Sequence, residues 1–194
     1  MRKPKAVITA KGSSTRDVIV EAARKKLIHQ GIDEFGLRDI ADSLDLKLSN
    51  LQYYFKTREA LILHILEAEA TRDVAIIQAH HQKWNTADDA FRAIVRDLVI
   101  RWRGDGGVLF STLGTLALHN KVFRKLYRAV YANFYQSLED LLRRINPNLD
   151  DTEIVLRVRL ITALIDGSAM QTQVGNTQAF IERVQAQAEL IALT

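Results

Sequence analysis

Only two prolines and nine glycines punctuate the 194 residues of this chain. Both residue types interrupt helices and mark turns, so their scarcity leaves long stretches in which a helix can run unbroken. The rest of the composition leans to Ala, Leu, Ile, Gln, Arg and Glu, which favours helix again. With 47% hydrophobic residues the chain has material for a real core, and its length suits one large domain or two small ones. An all-α fold is expected, with no convincing strand and no repeat or low-complexity segment. No cysteine is present, which excludes a disulfide framework and thiolate metal or catalytic sites and fits a reducing cytosol. A cytoplasmic location is therefore expected.

Hydrophobic periodicity divides the chain into elements. Ile19, Ala22, Ala23 and Leu27 recur at helical spacing and predict a helix from Thr15 to Gln30, with Gly31 as its stop. Leu37, Ile40, Ala41 and Leu44 predict a second, two-turn helix. Asp45, Leu46 and Lys47 then form a tight turn before a short helix from Leu48 to about Tyr54. Thr57 is placed to cap the next helix, which has Glu59 in its first turn and runs through Leu61, Ile65 and Ala68 toward His80. Beyond it, helices break at "NTADD", "RGDGG", "HNK", "INPNLDD" and "VGNTQ". The sharpest break is Asn146-Pro147, followed by Asp150 and Glu153 in a capping-box-like spacing. About nine helices result.

Charge is unevenly placed along this pattern. Residues 1–58 hold 12 Lys and Arg against 7 Asp and Glu, whereas the remainder holds 15 against 16. The excess positive charge thus lies in the first third, as expected of a chain that meets a polyanion at one end. Residues 1–13 read as a basic flexible arm. Their apolar run, Ala6 to Ala10, is too short for an export signal. The longest uncharged run, Gly106 to Asn120, has 15 residues, fewer than the roughly 20 apolar residues a membrane span requires. No membrane partner is expected.

Two short helices joined by a three-residue turn, preceded by a packing helix in a basic segment, have the helix-turn-helix arrangement of DNA-binding proteins. The residue order is more specific. Ala23 to Leu27 with Gly31, then Ile40-Ala41, then Tyr54-Phe55 with Arg58, Glu59 and Leu61, resemble the N-terminal domain of the TetR family of transcriptional regulators. The resemblance covers about 45 residues. It departs from the family pattern in three places: Asp45 stands where Gly is usual, Lys47 where Ser or Thr opens the recognition helix, and Gln52 where Tyr is usual. Asp can enter the left-handed region, so the turn is expected to survive.

The resemblance implies a helix-turn-helix DNA-binding domain over residues 14–61 and a helical effector-binding and dimerisation domain over residues 62–194. The short helix should enter the major groove with Lys47, Leu48, Ser49 and Asn50 near its leading end and Gln52 and Tyr53 one turn on. Amides such as Asn50 and Gln52 suit adenine, Lys47 suits guanine, and Leu48 suits a thymine methyl. Arg38, Tyr54, Lys56, Thr57 and Arg58 complete the expected DNA-contacting set. Arg58 is singled out because a cation in a helix's first turn opposes the helix dipole unless an anion is near, which a phosphate would supply. Phe55 is expected in the core.

In the second domain, "ALIDG", Ala163 to Gly167, is similar to TetR-family members of the choline-responsive-repressor type. Leu160, Leu164, Gly167, Met170, Phe180, Val184 and Ile191 form apolar faces on the last two helices. Such faces either close the monomer core or pair with their copies, and a dimer is preferred because helix-turn-helix proteins commonly read two half-sites. An effector pocket is expected among Trp102, Phe110, His119, Phe123, Tyr127, Tyr131 and Phe134, set against the alternative that aromatics at helical spacing are ordinary core. The partners expected are a double-stranded DNA operator, a second copy of the chain and a small-molecule effector.

Two other classes compete. An all-α enzyme with a di-metal carboxylate site would need Glu-x-x-His pairs, and none of the five histidines has Glu three residues before it. H-E-x-x-H and G-x-S-x-G are also missing. No enzyme, metal or cofactor is expected. A helical interaction module that does not bind DNA is the other alternative, since fold alone does not fix function.

Overall fold

In the computed structural model, residues 14–172, 174–175 and 178–194 are described. The basic arm expected over residues 1–13 lies outside them. Among the described residues there are nine α-helices and no strand. They are α1 Thr15–Gln30, α2 Leu37–Ser43, α3 Leu48–Tyr54, α4 Arg58–Lys83, α5 Ala87–Trp102, α6 Asp105–His119, α7 Lys121–Ile145, α8 Asp151–Thr172 and α9 Gln178–Leu193. The chain divides into two compact units within α4, one ending at Ala68 and the other running Glu69–Thr194. No described helix is long and apolar enough to cross a membrane.

Polar residues at the breaks fix the helix ends. Ser14 caps α1 in a reciprocal capping box with Asp17, a Ser-x-x-Asp signal that the periodicity alone passes over. The α2–α3 turn is a Schellman closure in which the N–H groups of Asp45 and Leu46 donate to the carbonyls of Asp42 and Ala41. Its left-handed position is Asp45, at φ 52°, as the turn requires. The Thr57 hydroxyl accepts from the N–H of Ala60 and so opens α4. Thr86 opens α5, Asn120 alone links α6 to α7, and the Asp150 carboxylate accepts from the N–H of Glu153 to open α8.

The α5–α6 corner is tighter than "RGDGG" suggests. Only Arg103 and Gly104 separate the two helices, and Gly106 and Gly107 already belong to α6. A Cβ built at Gly107 would lie 2.0 Å from the Trp102 carbonyl oxygen, so only glycine fits there.

In the first unit Ile19, Ala23, Leu27, Phe35, Ile40, Ala41, Leu51, Phe55 and Leu61 are buried. In the second, the core joins Phe91, Ile94 and Leu98 of α5, Leu138 and Leu142 of α7, Ile154, Val158, Ile161 and Ile165 of α8, and Ile181, Val184 and Ala188 of α9. The end of α9 is tied down by side chains from elsewhere: the Asn146 amide donates to the Ala192 carbonyl, and Arg157 donates to the Ile191 carbonyl at 3.1 Å.

Candidate DNA-reading helix and ligand cavity

One residue anchors α3 from behind. Leu51 is fully buried, and burial of a leucine holds its helix by about 2–5 kcal/mol relative to alanine. Residues on the other side face outward: Lys47, Ser49 and Gln52 are exposed and Tyr53 is 76% exposed. Leu48, Asn50 and Tyr54 are half-buried, and the Tyr53 and Tyr54 rings meet edge-on at 5.2 Å. Arg38, Lys56 and Thr57 are also exposed. Phe55 ends the helix and is buried, with the Arg16 guanidinium 5.1 Å from its ring centre. The short helix therefore presents a polar edge over an apolar back.

Arg58 is placed differently from its sequence reading. Its Nε donates to the Phe35 carbonyl at 2.7 Å, and its Nη2 donates to the Ile32 carbonyl. The opposing helix dipole is answered by these two carbonyls of the α1–α2 link, from within the same chain although Arg58 is exposed, so the dipole argument for a phosphate no longer holds.

In the second unit five of the seven residues expected at an effector pocket come together. Trp102 stacks on Phe110 at 4.7 Å and 15°, Phe134 tilts against Trp102, and Phe110 meets both Tyr127 and Tyr131. The space enclosed among Trp102, Phe110, Tyr131, Phe134 and Asp73 is about 20 Å³, room for about one water. These rings mostly pack on each other. His119 is exposed at the end of α6, and Phe123 is buried but lines no cavity described. Neither joins the group.

A charged cluster borders these rings. Arg101 donates to Glu69 at 2.6 Å and also to Asp73, while Arg72 bonds Glu69 at 2.9 Å. Burial pushes the Asp73 carboxyl up, and the Arg101 hydrogen bond opposes this. The buried Trp102 Nε1 meets no acceptor in hydrogen-bond geometry among the described residues, though it lies close enough to help hold the Asp73 carboxyl down.

A larger space, about 490 Å³, lies between α7 and α8, within the range of small-molecule sites. Tyr127, Tyr131 and Tyr135 line its α7 side, and Arg159 and Asp166 its α8 side. The Tyr131 hydroxyl donates to Asp166 Oδ2 at 2.5 Å, and Tyr127 donates to Tyr131 at 3.3 Å. Burial drives the Asp166 carboxyl up to about 6, partly offset by the Tyr131 bond. Periodicity could not single out Asp166, because an isolated acid on an apolar helix reads as a surface residue.

The residues expected at a dimer interface divide. Leu160, Met170 and Phe180 are exposed, Leu164 and Ile191 are half-buried against the core, and Gly167 has open space where a Cβ would stand. Val184 is turned into the chain's own core, so it closes the monomer and leaves the surface set.

A buried back and an outward polar edge are the arrangement in which a helix-turn-helix offers its second helix to the DNA major groove. Residues 19–65 match the family of bacterial regulatory proteins described as the tetR family, and this bears out the resemblance read at Ala23 to Leu61. The segment is a TetR-family helix-turn-helix domain. Among solved structures, a TetR-family transcriptional regulator from Streptomyces coelicolor is 22% identical, covering 91% of this chain and 93% of its own, with a TM-score of 0.76. A TetR transcription regulator from Haloarcula marismortui is 17% identical, covering 91% and 95%, with a TM-score of 0.79. A candidate transcriptional regulator from Saccharomonospora viridis, solved in complex with choline, is 20% identical over 89% and 92%, with a TM-score of 0.75. At these identities the likeness establishes a shared fold. No curated protein matches the chain.

Proposed function

We propose that this chain is a cytoplasmic transcriptional repressor that binds a palindromic operator as a homodimer and is released by a small-molecule effector. The observation carrying the DNA-binding part is the outward edge of α3, with Lys47, Ser49, Gln52 and Tyr53 exposed over the buried Leu51. Two such helices, one per protomer, would read half-sites about one DNA turn apart, roughly 34–36 Å. Pairing is supported by the exposed apolar side chains Leu156 and Leu160 of α8 and Phe180 and Leu190 of α9. The effector part is supported by the α7–α8 space and by the choline found in the Saccharomonospora viridis neighbour. The ligand would act by favouring one separation of the two recognition helices.

Fluorescence titration of the purified protein against pooled duplex DNA at two salt concentrations tests this. Affinity should fall steeply with salt, by orders of magnitude if six or more phosphates are contacted. Absence of salt-sensitive binding at low ionic strength would leave the helical interaction module as the better reading. Ultracentrifugation checks the dimer, which Leu160→Glu should dissociate.

A further inference from the structure

The α7–α8 groove has chemistry that narrows what enters it. Tyr127, Tyr131 and Tyr135 stand at successive i, i+4 positions on α7, with ring centres 4.8 and 5.4 Å apart, and make a continuous aromatic wall. Opposite them Asp166 spends one carboxylate oxygen on Tyr131, while the other, Oδ1, is buried with no hydrogen-bond partner among the described residues. A buried acceptor left open is costly, and a small turn of the Asp166 side chain, which lines the groove, would bring its carboxyl to an O–H or N–H donor on a ligand. Two turns away on α8, Arg159 lies over the Tyr135 ring at 4.9 Å, and Arg128 also lines the groove. Neither arginine has an ion-pair partner among the described residues.

Two ligand charges compete for this site. A tyrosine wall beside a carboxylate attracts organic cations. Here, however, two guanidiniums stand against one carboxylate, and Arg159 already occupies the Tyr135 face. Complementarity of charge then favours a ligand with a negative end. Asp166 and Arg159 are seven residues apart on one helix, about 10 Å between their backbone positions along its axis, so one ligand meets both only if its two polar groups lie at opposite ends.

We infer that the effector of this groove is a small aromatic or apolar carboxylate bearing a hydroxyl or amine donor at its far end, with the donor on the Asp166 carboxyl and the carboxylate on Arg159. This rests on the reading of the chain as a ligand-released regulator. It adds the ligand's chemical class and the residues at either end.

Calorimetric titration of the full-length, DNA-free protein with three probes tests the inference. They are 3-(4-hydroxyphenyl)propanoate, 3-phenylpropanoate, which lacks the donor, and 4-hydroxyphenethylamine, which has the donor but a cation in place of the carboxylate. The first should bind at least tenfold more tightly than either of the others. Asp166→Ala, which removes the acceptor, should erase its advantage over 3-phenylpropanoate, and Arg159→Gln its advantage over the amine. Equal binding of the two carboxylates, tighter binding of the amine or of a quaternary ammonium, or no binding of any probe at millimolar concentration would overturn the inference. Because no DNA is present, failure here leaves operator binding untouched. Binding of the first probe without release of DNA would instead overturn effector release while the site stands.

Discussion

Arg58 donates from Nε to the carbonyl of Phe35 at 2.7 Å, across 23 residues of sequence. With its second bond to Ile32, the guanidinium clasps the link between α1 and α2 to the start of α4. Arg58→Ala should destabilise the first unit by about 1–2 kcal/mol, since charged donors to carbonyls contribute on this scale and the site is exposed. Arg58→Lys should recover little, because a single ammonium cannot reach two carbonyls as a planar fork does. Urea denaturation measures both. The salt slope of DNA binding should stay unchanged in folded Arg58→Ala; a slope reduced by about one unit would mean that the side chain also neutralises a phosphate.

Gln52 is exposed and has no packing role. Gln52→Ala should leave stability within about 0.5 kcal/mol, yet shift sequence preference at one operator position by about 1–3 kcal/mol. Binding-site selection with both proteins, followed by titration of single-base variants, reads this difference. A uniform loss across all sites would contradict a base-reading role.

Asp45 holds a positive φ of 52° in the turn before α3. Glycine enters that region without the Cβ penalty, so Asp45→Gly should stabilise the protein by about 0.5–1 kcal/mol, less the entropy glycine loses from the unfolded chain. A thermal melt should move upward. Asp45→Val should move it down by more than that, because a β-branched side chain is strained there.

The buried carboxyl of Asp166 gives the second unit a pH signature. Burial raises it from 3.8 to about 6, so between those values the folded chain keeps a proton that the unfolded chain has released. Its contribution to stability is therefore fully present below pH ~4 and is lost as pH rises through about 6, by on the order of 2–3 kcal/mol. Denaturation midpoints across this range should fall with rising pH for the wild type after allowance for other groups. Asp166→Asn should remove that component.

Much of this was legible in the sequence because it is local. The Thr57 cap, the Asp45 turn, the Asp150–Glu153 start and the burial of Phe55 each depend on residues a few positions apart, where spacing carries information. The pairings that define the candidate sites are not local. Arg58 meets Ile32 across 26 residues, Tyr131 meets Asp166 across 35, and Arg101 meets Glu69 across 32. Periodicity marks which face of a helix is apolar without saying which neighbour meets it. It therefore grouped Phe123 with Tyr127 and Tyr131, although four residues along α7 separate a packed core position from the groove wall. Val184 went astray for the same reason, an apolar stripe being silent about whether it faces its own core or a second copy.

At the α5–α6 corner, the vacancy at Gly107 is as specific as any side chain. The Trp102 backbone can approach only because position 107 has no Cβ, and that approach sets where the Trp102 ring lies against Phe110. Adding one methyl group there, the smallest change a mutation can make to glycine, would push the two helices apart and tilt the indole out of its stack. With Trp84 replaced by phenylalanine, the emission of Trp102 alone would report that displacement.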